Sequence, residues 1–417
     1  MIADRRRGWC PSLSSPMETG DGFLIRLRPS SQTIDIEGFK AFCTAARVHG
    51  SGVVEITSRG SIQIRGLTAG SAAAFAAQVA PLAVDSGDGL SLLPHPLSGL
   101  DTGEHVDMLP LAAELRAALK TAPFTQRLAG KMSVVLDGAD ALHLDMLTAD
   151  IRLRVAKFGK GLGFHVGLAG TAADAASLGG VLPEQAAACV LHLLRHLASE
   201  APGARMRDMV RKGGLDTLRA DLGDLLIDVA TPPGRPAANW IGSHELKSGT
   251  KAIGLALPFG HSDAESLSAL ADAAVTAGAH GLRMAPGRVL LIVGLAPAKT
   301  AALRAAATAL GFVTERDDPR LRVVACPGAP TCAAGEIPAR ALAPAVTKAV
   351  GASLSSDDIV HLSGCAKGCA HPAPARVTVI GRAGACDILA DGRRKTAVAV
   401  ADLPAALERL IAVAEVE

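Results

Sequence analysis

One stretch of strand and turn residues occurs twice and decides the fold. The first copy is VVEITSRGSIQIRGL, residues 53–67, and the second is GLRMAPGRVLLIVGL, residues 281–295. At an offset of 228 residues their apolar positions coincide, as in the pairs Val54 with Leu282, Ile56 with Met284, Ile62 with Leu290, and Ile64 with Ile292. Each copy reads as a strand, a tight turn and a second strand.

The elements around the two copies also correspond. A helix is predicted before each copy, at 35–48 and 264–276, and another after it, at 71–79 and 299–310, while strands at 23–28 and 252–257 open the two series. Two units with the order strand, helix, strand, strand, helix are typical of a duplication. The sequence therefore predicts an α+β fold built from two related halves.

Two close pairs of cysteines lie after the second copy. Cys326-Pro-Gly-Ala-Pro-Thr-Cys332 is a C-x5-C segment, and Cys365-Ala-Lys-Gly-Cys369 is a C-x3-C segment. Each follows a predicted strand, at 321–325 and 359–362, with a predicted helix at 337–350 between them. This order can bring both pairs to one edge of a sheet, where four thiolates would form an all-cysteine metal site.

The cysteine spacing leaves alternatives open. Neither pair is C-x2-C, so a zinc ribbon fits poorly and a [4Fe–4S] cluster fits better. Two disulfides would need an oxidising compartment, and four unconnected core cysteines are also possible. Cys43, Cys189 and Cys386 each stand alone in apolar stretches, which is typical of core residues.

Composition narrows the function classes. The chain has 417 residues, 49% of them hydrophobic and 20% charged, with a net charge of +2 and only 3% aromatic residues. No basic field or stacking surface indicates nucleic acid. The basic N-terminus lacks an apolar segment after it, and no apolar run is long enough to cross a membrane. We expect a cytoplasmic protein of several domains without nucleic-acid or membrane partners.

The cysteine segments ACPGAPTC and SGCAKGCAHP resemble the cluster motifs of the sirohaem nitrite and sulfite reductase family, which is also built from two related halves. The opening segments GWCP, residues 8–11, and PMETGDG, residues 16–22, resemble the branch of that family that acts in aerobic cobalamin biosynthesis, as does TSRGSIQIRGL, residues 57–67. The resemblance covers essentially the whole chain.

The resemblance implies a fold, a cofactor and a reaction. The fold would be a pair of nitrite/sulfite reductase-like halves with these expected bounds: a ferredoxin-like repeat with an N-terminal arm at 1–80, an α/β domain at 100–230, a second ferredoxin-like repeat at 237–312 and a cluster-binding α/β domain at 318–417. Cys326, Cys332, Cys365 and Cys369 would hold a [4Fe–4S] cluster. The reaction would be dioxygen-dependent hydroxylation of the metal-free tetrapyrrole precorrin-3A with γ-lactone formation.

A tetrapyrrole of this class carries many carboxylates and needs cations on the surfaces that face it. Gln63 and Arg65 alternate along one predicted strand, and Arg59 lies in the turn before it. Arg283 and Arg288 occupy the same region of the second copy. We predict that these residues, together with Lys131, bind the substrate, although an isolated strand arginine is more often only solvated.

The main departure from the reductases lies near residue 130. They carry two alternating lysines on a strand after the first half, whereas this chain has Lys131 and then Ser133. Loss of one cation weakens the binding of a small doubly charged oxyanion, which favours the cobalamin branch over sulfite or nitrite reduction. A sirohaem-dependent nitrite or sulfite reductase and a non-catalytic tetrapyrrole-binding iron–sulfur protein remain the two rival predictions.

The source of electrons and any second iron are less defined by the sequence. The family resemblance implies NADH as the source of electrons. No G-x-G-x-x-G segment opens a helix after a strand, so NADH is expected to act indirectly, through a separate reductase protein. The family resemblance also implies a mononuclear non-haem iron. His143, His165, His261, His361 and His371 lie near the motif segments, and His143 forms an H-x-D pair with Asp145, but no set of ligands stands out.

Overall fold

The structure, a computed structural model, describes residues 10–28, 33–82, 84–159, 161–371 and 373–414. Residues 8 and 9 of the opening motif lie outside these ranges. Four five-stranded sheets form the fold, two of them in ferredoxin-like halves and two in α/β units. No described helix has the length and apolar character of a membrane span.

Along the chain, each ferredoxin-like half is followed by one α/β unit. The first half contains β1 (Met17–Thr19), β2 (Gly22–Leu27), β3 (Ile34–Asp35), α1 (Ile36–His49), β4 (Val53–Ile56), β5 (Ile62–Leu67) and α2 (Ala69–Val79). The first α/β unit contains β6 (Ser91–Pro94), α3 (Leu109–Thr121), β7 (Ser133–Asp137), β8 (Ala149–Phe158), β9 (Gly161–Gly170), β10 (Ala176–Val181), α4 (Ala186–Glu200), α5 (Met206–Arg211) and α6 (Leu215–Leu222).

The same order returns in the C-terminal part. The second half contains β11 (Gly242–Glu245), β12 (Lys251–Ala256), β13 (His261–Asp263), α7 (Ala264–Thr276), β14 (Gly281–Ala285), β15 (Val289–Leu295) and α8 (Thr300–Ala309). The second α/β unit contains β16 (Val323–Ala325), α9 (Ala339–Val350), β17 (Val360–Ser363), β18 (Val377–Arg382), β19 (Ala385–Ala390), β20 (Arg393–Ala399) and α10 (Leu403–Ala414).

The two halves exchange one strand each. The first sheet has the order β1-β2-β5-β4-β13 and the other has the matching order β11-β12-β15-β14-β3. The edge strand of each sheet therefore comes from the opposite half, and both edge pairings are antiparallel. This reciprocal exchange confirms the predicted duplication and makes the two halves one body.

Corresponding helices of the two halves begin in the same way. Asp35 caps α1 by accepting a 2.7 Å hydrogen bond from the Gly38 N–H, and Asp263 caps α7 by accepting one of 2.7 Å from the Ser266 N–H. Each cap satisfies an amide that the helix itself leaves without a partner, which contributes about 1 kcal/mol. Both caps and both donors are separated by the same sequence offset as the repeated strands.

The core between the halves is shared. Helices α1 and α7 pack against each other, and Phe39 and Phe42 of α1 lie in one cluster with Leu267 and Leu270 of α7. The apolar residues of β4 and β5 and of β14 and β15 face this cluster from the two sheets. The alternation that was visible in the two sequence copies thus points one face of each sheet into a common core.

The opposite faces of the two sheets differ, and this difference positions the site. In the second half, Leu291 and Val293 of β15 pack with Leu93 and Val135 of the first α/β unit in a second apolar cluster. In the first half, the same face carries Glu55, Gln63 and Arg65, all about 95% buried. One face is therefore filled mainly by apolar side chains, with Arg283 at the position equivalent to Glu55, and its counterpart is lined by charged and polar groups.

The two α/β units have the same strand order and directions. In each unit, the first three strands are parallel neighbours, and the fourth and fifth strands each pair antiparallel with the strand before them. These strands are β6 to β10 in one unit and β16 to β20 in the other. Loops after the first two parallel strands leave the sheet at one edge. In the second unit, these two loops contain the four paired cysteines.

Candidate cofactor and substrate site

The two cysteine loops meet at the carboxyl edge of β16 and β17. Ala325 of β16 pairs with Leu362 of β17, Cys326 follows directly, and its N–H donates to the Leu362 carbonyl at 3.1 Å. The Gly364 N–H then donates to Cys326 Sγ at 3.0 Å, which joins the second loop to the first cysteine. The predicted placement of both cysteine pairs at one sheet edge is what the structure shows.

Cys326 is affected electrostatically by groups of both cysteine loops. Burial raises the pKa of the Cys326 thiol, the N–H groups of Gly364 and Gly328 lower it, and negative charge on Cys332 and Cys365 raises it further. Cys332 of the first loop and Cys365 of the second loop thus both act on Cys326. Cys326, Cys332 and Cys365 are half-buried thiols, and Cys369 is exposed.

Glycines make the tight approach of these loops possible. Gly328 has φ +68°, and a Cβ there would lie 2.4 Å from the Ala339 N atom. A Cβ at Gly364 would lie 2.8 Å from the Gly328 Cα and 3.4 Å from Cys326 Sγ. The two loops therefore contact each other through backbone, at distances that exclude side chains.

The polar face of the first sheet is a hydrogen-bonded network that reaches the cysteine unit. Arg26 Nε donates to Gln63 Oε1 at 2.9 Å, and Gln63 Nε2 donates to Glu55. Arg340 of α9 forms an ion pair with the same Glu55 carboxylate. Arg26, Glu55 and Gln63 come from three adjacent strands of the first half, so this network links that half to the second α/β unit.

Arg65 connects the same face to the first cysteine loop. Its guanidinium donates to Asp21 from Nε at 3.1 Å and from Nη2 at 3.0 Å, and Nη2 also donates to the Thr331 carbonyl at 2.8 Å. Thr331 immediately precedes Cys332. Gly20, in the turn before Asp21, lies against the same loop, because a Cβ at Gly20 would be 2.6 Å from the Ala333 N atom.

Replacement of Gly20 by alanine is expected to lower the free energy of unfolding by about 1–3 kcal/mol, because the added Cβ must push the cysteine loop away. Urea denaturation monitored by circular dichroism measures the change. Gly70→Ala is the matched control, since nothing lies within 4 Å of a Cβ there and α2 gains a better helix former. Equal stability of Gly20→Ala and wild type would show that the turn does not support the loop.

Arg59 and Lys131 lie toward the first α/β unit. Arg59 Nη1 donates to the Thr148 carbonyl at 2.8 Å. Burial lowers its pKa, and the Asp150 carboxylate partly offsets this effect. Lys131 is half-buried just before β7. Ser133, which stands where the resemblance would place the second lysine of the reductases, is the first residue of β7. Its N–H donates to Asp150 at 3.1 Å, and every residue of this strand is buried.

Arg288 and Arg283 reach different parts of the molecule. Arg288 Nη2 donates to the carbonyl of Ala370, the residue after Cys369, at 3.2 Å. Arg283 donates to the carbonyls of Pro96 and Ser98, both at 3.0 Å, and burial lowers its pKa to about 10. Arg65 and Arg288 are thus grouped with the cysteine loops, whereas the contacts of Arg283 join it to the first α/β unit.

A cavity of about 720 Å³ lies beside the second cysteine loop. His361 and Ser363 of β17, Cys365 and His371 are among its lining residues. The His361 and His371 rings lie 5.9 Å apart. Burial, assisted by the charges of His371 and Arg288, lowers the pKa of His361 to about 4, so this imidazole is neutral at pH 7.

The H-x-D pair singled out in the sequence belongs to a separate cluster. Asp137, His143 and Asp145 present ligand-type atoms within 4.8 Å of one another. However, Arg235 donates to both carboxylates, at 3.0 Å from Nε to Asp145 and at 2.5 Å from Nη2 to Asp137. His143 donates to the Pro236 carbonyl from Nε2 and accepts the Asp145 N–H at Nδ1. Both carboxylates are neutralised and both ring nitrogens are engaged, so this cluster is a structural ion network.

Sequence reasoning missed several residues of the site. Arg26 alternates with the core residues Ile25 and Leu27 on β2, so its place on the polar face could have been read from the FLIRLR pattern. Glu55 occupies the equivalent alternate position of β4. Arg340 and Arg205 could not have been found from the local sequence pattern, since only the packing of distant elements brings them to the site. The Arg205 guanidinium donates to Asp150 at 2.8 Å.

Comparison with known proteins identifies the family. The chain is 34% identical to precorrin-3B synthase of a Sinorhizobium species over 395 residues, which cover 94% of this chain and 84% of that protein. The chain belongs to the precorrin-3B synthase family. Residues 15–82 also match the nitrite/sulfite reductase ferredoxin-like half domain.

Two further relatives place this family among the nitrite/sulfite reductase-like proteins. A ferredoxin-dependent sulfite reductase of Mycolicibacterium paratuberculosis is 28% identical over 180 residues, covering 40% of this chain and 32% of that protein. The NirA protein of Mycobacterium tuberculosis superposes with a TM-score of 0.74 at 17% identity, over 93% of this chain and 80% of NirA. The precorrin-3B synthase family member described here therefore has the duplicated nitrite/sulfite reductase-like fold.

Proposed function

We propose that the protein is an oxidoreductase of aerobic cobalamin biosynthesis that converts precorrin-3A to precorrin-3B. One oxygen atom of dioxygen would enter the tetrapyrrole as a hydroxyl group with closure of a γ-lactone, and the other would leave as water with two electrons and two protons. The observation that carries the proposal is the contrast between the two sheet faces: the face next to the cysteine loops is polar and carries Arg26 and Arg65, while its counterpart is apolar except for Arg283.

The cysteine loops fit a [4Fe–4S] cluster held by Cys326, Cys332, Cys365 and Cys369. The donor set supports this fit, because three thiols converge from two loops at one sheet edge and backbone N–H groups point at Cys326. Hydrogen bonds to sulfur stabilise thiolate ligands and tune cluster potential. When bound, such a cluster would supply electrons one at a time.

The polar face fits a substrate with many carboxylates. Burial lowers the pKa of Arg26, Arg59 and Arg288. A buried guanidinium gains most from a carboxylate that replaces its lost hydration. We propose that Arg26 and Arg59, with Lys131 just before β7, bind precorrin carboxylates, and that the Gln63–Glu55–Arg340 network fixes the Arg26 side chain in place.

Electrons would come from NADH through a separate reductase protein, and a mononuclear iron would activate dioxygen. The described ion network at Asp137 and Asp145 is not the place for that iron, because Arg235 and His143 already use its ligand atoms. Turnover of the purified protein with NADH alone, without any flavoprotein, would argue against a separate reductase.

The competing activity is sirohaem-dependent reduction of sulfite or nitrite. The similarity to a sulfite reductase is the reason to test it. An anaerobic visible spectrum with iron and sulfide analysis separates the two. The proposed function predicts about four sulfides and slightly more than about four irons per chain, with no Soret-type band. A sirohaem spectrum would favour the reductase. An intact cluster with no product from precorrin-3A, dioxygen and reductant would favour the non-catalytic tetrapyrrole-binding iron–sulfur protein.

Arg59→Gln is expected to weaken precorrin-3A binding about 10- to 100-fold, since a hydrogen bond to a charged group contributes about 1.5–3 kcal/mol. Anaerobic fluorescence titration with precorrin-3A measures the dissociation constant. The control is Arg47→Gln, an exposed arginine in the last turn of α1. Wild-type affinity in Arg59→Gln would remove Arg59 from the substrate site.

A further inference from the structure

Two arginines, Arg65 of β5 and Arg288 of the turn between β14 and β15, bind the cysteine loops. Arg65 donates to the carbonyl before Cys332, and Arg288 donates to the carbonyl after Cys369. One arginine comes from each ferredoxin-like half, and each reaches a different cysteine pair. We propose that Arg65 and Arg288 position the two loops, and that the charge of Arg288 raises the reduction potential of the cluster that the loops hold.

The placement of Arg288 shows that this contact is built into the fold. Arg288 has φ +68°, in the left-handed region that residues other than glycine rarely adopt. A hydrogen bond stabilises this backbone conformation in the turn between β14 and β15: the Leu257 N–H donates to the Arg288 carbonyl at 3.1 Å. Gly260 leaves room for the side chain, because a Cβ there would lie 2.7 Å from Arg288 Cδ.

The equivalent turn of the first half makes the corresponding contact. Arg59 lies between β4 and β5 and donates to the Thr148 carbonyl in the loop after β7, just as Arg288 donates to Ala370 in the loop after β17. The two turns also touch each other, since the Gly287 N–H donates to the Ser58 carbonyl at 3.0 Å. One arginine from each turn thus reaches one α/β unit, although at the offset of 228 residues Arg288 matches Gly60 rather than Arg59. Of these two contacts, the one made by Arg288 is to a loop that contains cysteines.

The two arginines differ in charge compensation. Arg65 forms a two-point ion pair with Asp21, so its positive charge is largely neutralised. Within the part of the chain that the structure describes, Arg288 makes no ion pair, and burial and the charge of Arg340 lower its pKa. Reduction adds one negative charge to a cluster, and a half-buried guanidinium without an ion-pair partner stabilises the reduced form more than a neutralised one does.

This inference rests on the proposed cluster and assigns roles beyond it. Arg65 is a tether for the first cysteine loop, and Arg288 is both a tether for the second loop and a source of positive potential. The functional consequence is that each ferredoxin-like half controls one pair of cysteine ligands, so a substrate that binds on the first half contacts the same elements that orient the cluster.

The test is an anaerobic redox titration of the purified protein, followed by electron paramagnetic resonance of the reduced cluster. Arg288→Gln is expected to shift the midpoint potential to a more negative value, and Arg288→Lys is expected to restore most of it. Arg65→Gln is expected to lower cluster occupancy with a smaller shift in potential, and Arg65→Lys to recover part of the occupancy. Arg207→Gln, an arginine on α5 that is 64% exposed, is the control.

The outcomes separate this inference from the proposed function. A wild-type protein that holds no cluster would overturn both. A wild-type cluster whose midpoint potential and occupancy are unchanged in Arg288→Gln and Arg65→Gln would overturn the inference and leave the proposed function standing. An equal shift in Arg288→Gln and Arg288→Lys would also contradict it, because the lysine retains the charge.

Discussion

Cys326→Ser is expected to abolish cluster binding and, with it, conversion of precorrin-3A. Cys326 lies where the two loops meet: it follows β16, accepts the Gly364 N–H, and is influenced by both Cys332 and Cys365. A serine hydroxyl is a poor iron ligand, and loss of this residue removes the contact that joins the loops. Iron, acid-labile sulfide and visible absorption of the anaerobic protein measure the loss.

The control for this substitution is Cys43→Ala. Cys43 is buried in the shared core of the two halves, and burial raises the pKa of its thiol to about 12, which is typical of an inert core cysteine. This variant should keep its iron and sulfide content while losing a little stability. Iron and sulfide at wild-type levels in Cys326→Ser would refute the assignment of the cysteine loops.

Asp137→Asn is expected to lower the free energy of unfolding by about 3–5 kcal/mol, because it breaks a buried ion network. Asp137 is fully buried, accepts the N–H groups of Ala139 and Leu144, and binds Arg235. An amide in its place turns an NH₂ group toward one of these donors and leaves Arg235 undercompensated. Urea denaturation of the variant, followed by circular dichroism, measures the change.

Asp140→Asn is the matched control for Asp137→Asn. Asp140 is exposed three residues later, so its substitution should change the stability by less than about 0.5 kcal/mol. The same pair of variants tests the alternative that Asp137, His143 and Asp145 bind a metal. A large stabilisation of wild type by ferrous or zinc ions that disappears in Asp137→Asn would contradict the structural interpretation.

The duplication and the position of the cysteine loops could be predicted because both are local patterns. The alternation in residues 53–67 and 281–295 specifies which side chains face the shared core, and strands that precede each cysteine pair place the loops at a sheet edge. Neither inference needs knowledge of distant contacts. The family resemblance, carried by the cysteine motifs together with the opening segments and residues 57–67, is confirmed by the comparison with precorrin-3B synthase.

The reciprocal strand exchange could not be read from the sequence. β3 has only two residues and β13 three, so neither carries enough of a pattern to reveal that it pairs in the sheet of the opposite half. Likewise, Arg283 and Arg288 were predicted to bind the same substrate because they lie close together in the same region of the second copy. The structure directs Arg283 to Pro96 and Ser98, while Arg288, five residues later in the next turn, reaches Ala370.

The polar network on the first sheet shows the same limit. Glu55 and Gln63 lie on adjacent strands, but the partner that completes their network is Arg340, 285 residues from Glu55 along the chain. Arg235 likewise lies in a linker without secondary structure, yet it binds two carboxylates of the first α/β unit. Such long-range pairs are set by tertiary packing and leave no periodic signal in the sequence.

The most direct test of the central claim is a single-turnover reaction with isotopically labelled dioxygen. Anaerobically purified protein is reduced, mixed with precorrin-3A and exposed to ¹⁸O₂, and the product is examined by mass spectrometry. The account predicts a precorrin-3B product that contains one atom of ¹⁸O, and no product from Cys326→Ser. Unchanged precorrin-3A in the presence of an intact, reducible cluster, or a product without the label, would contradict it.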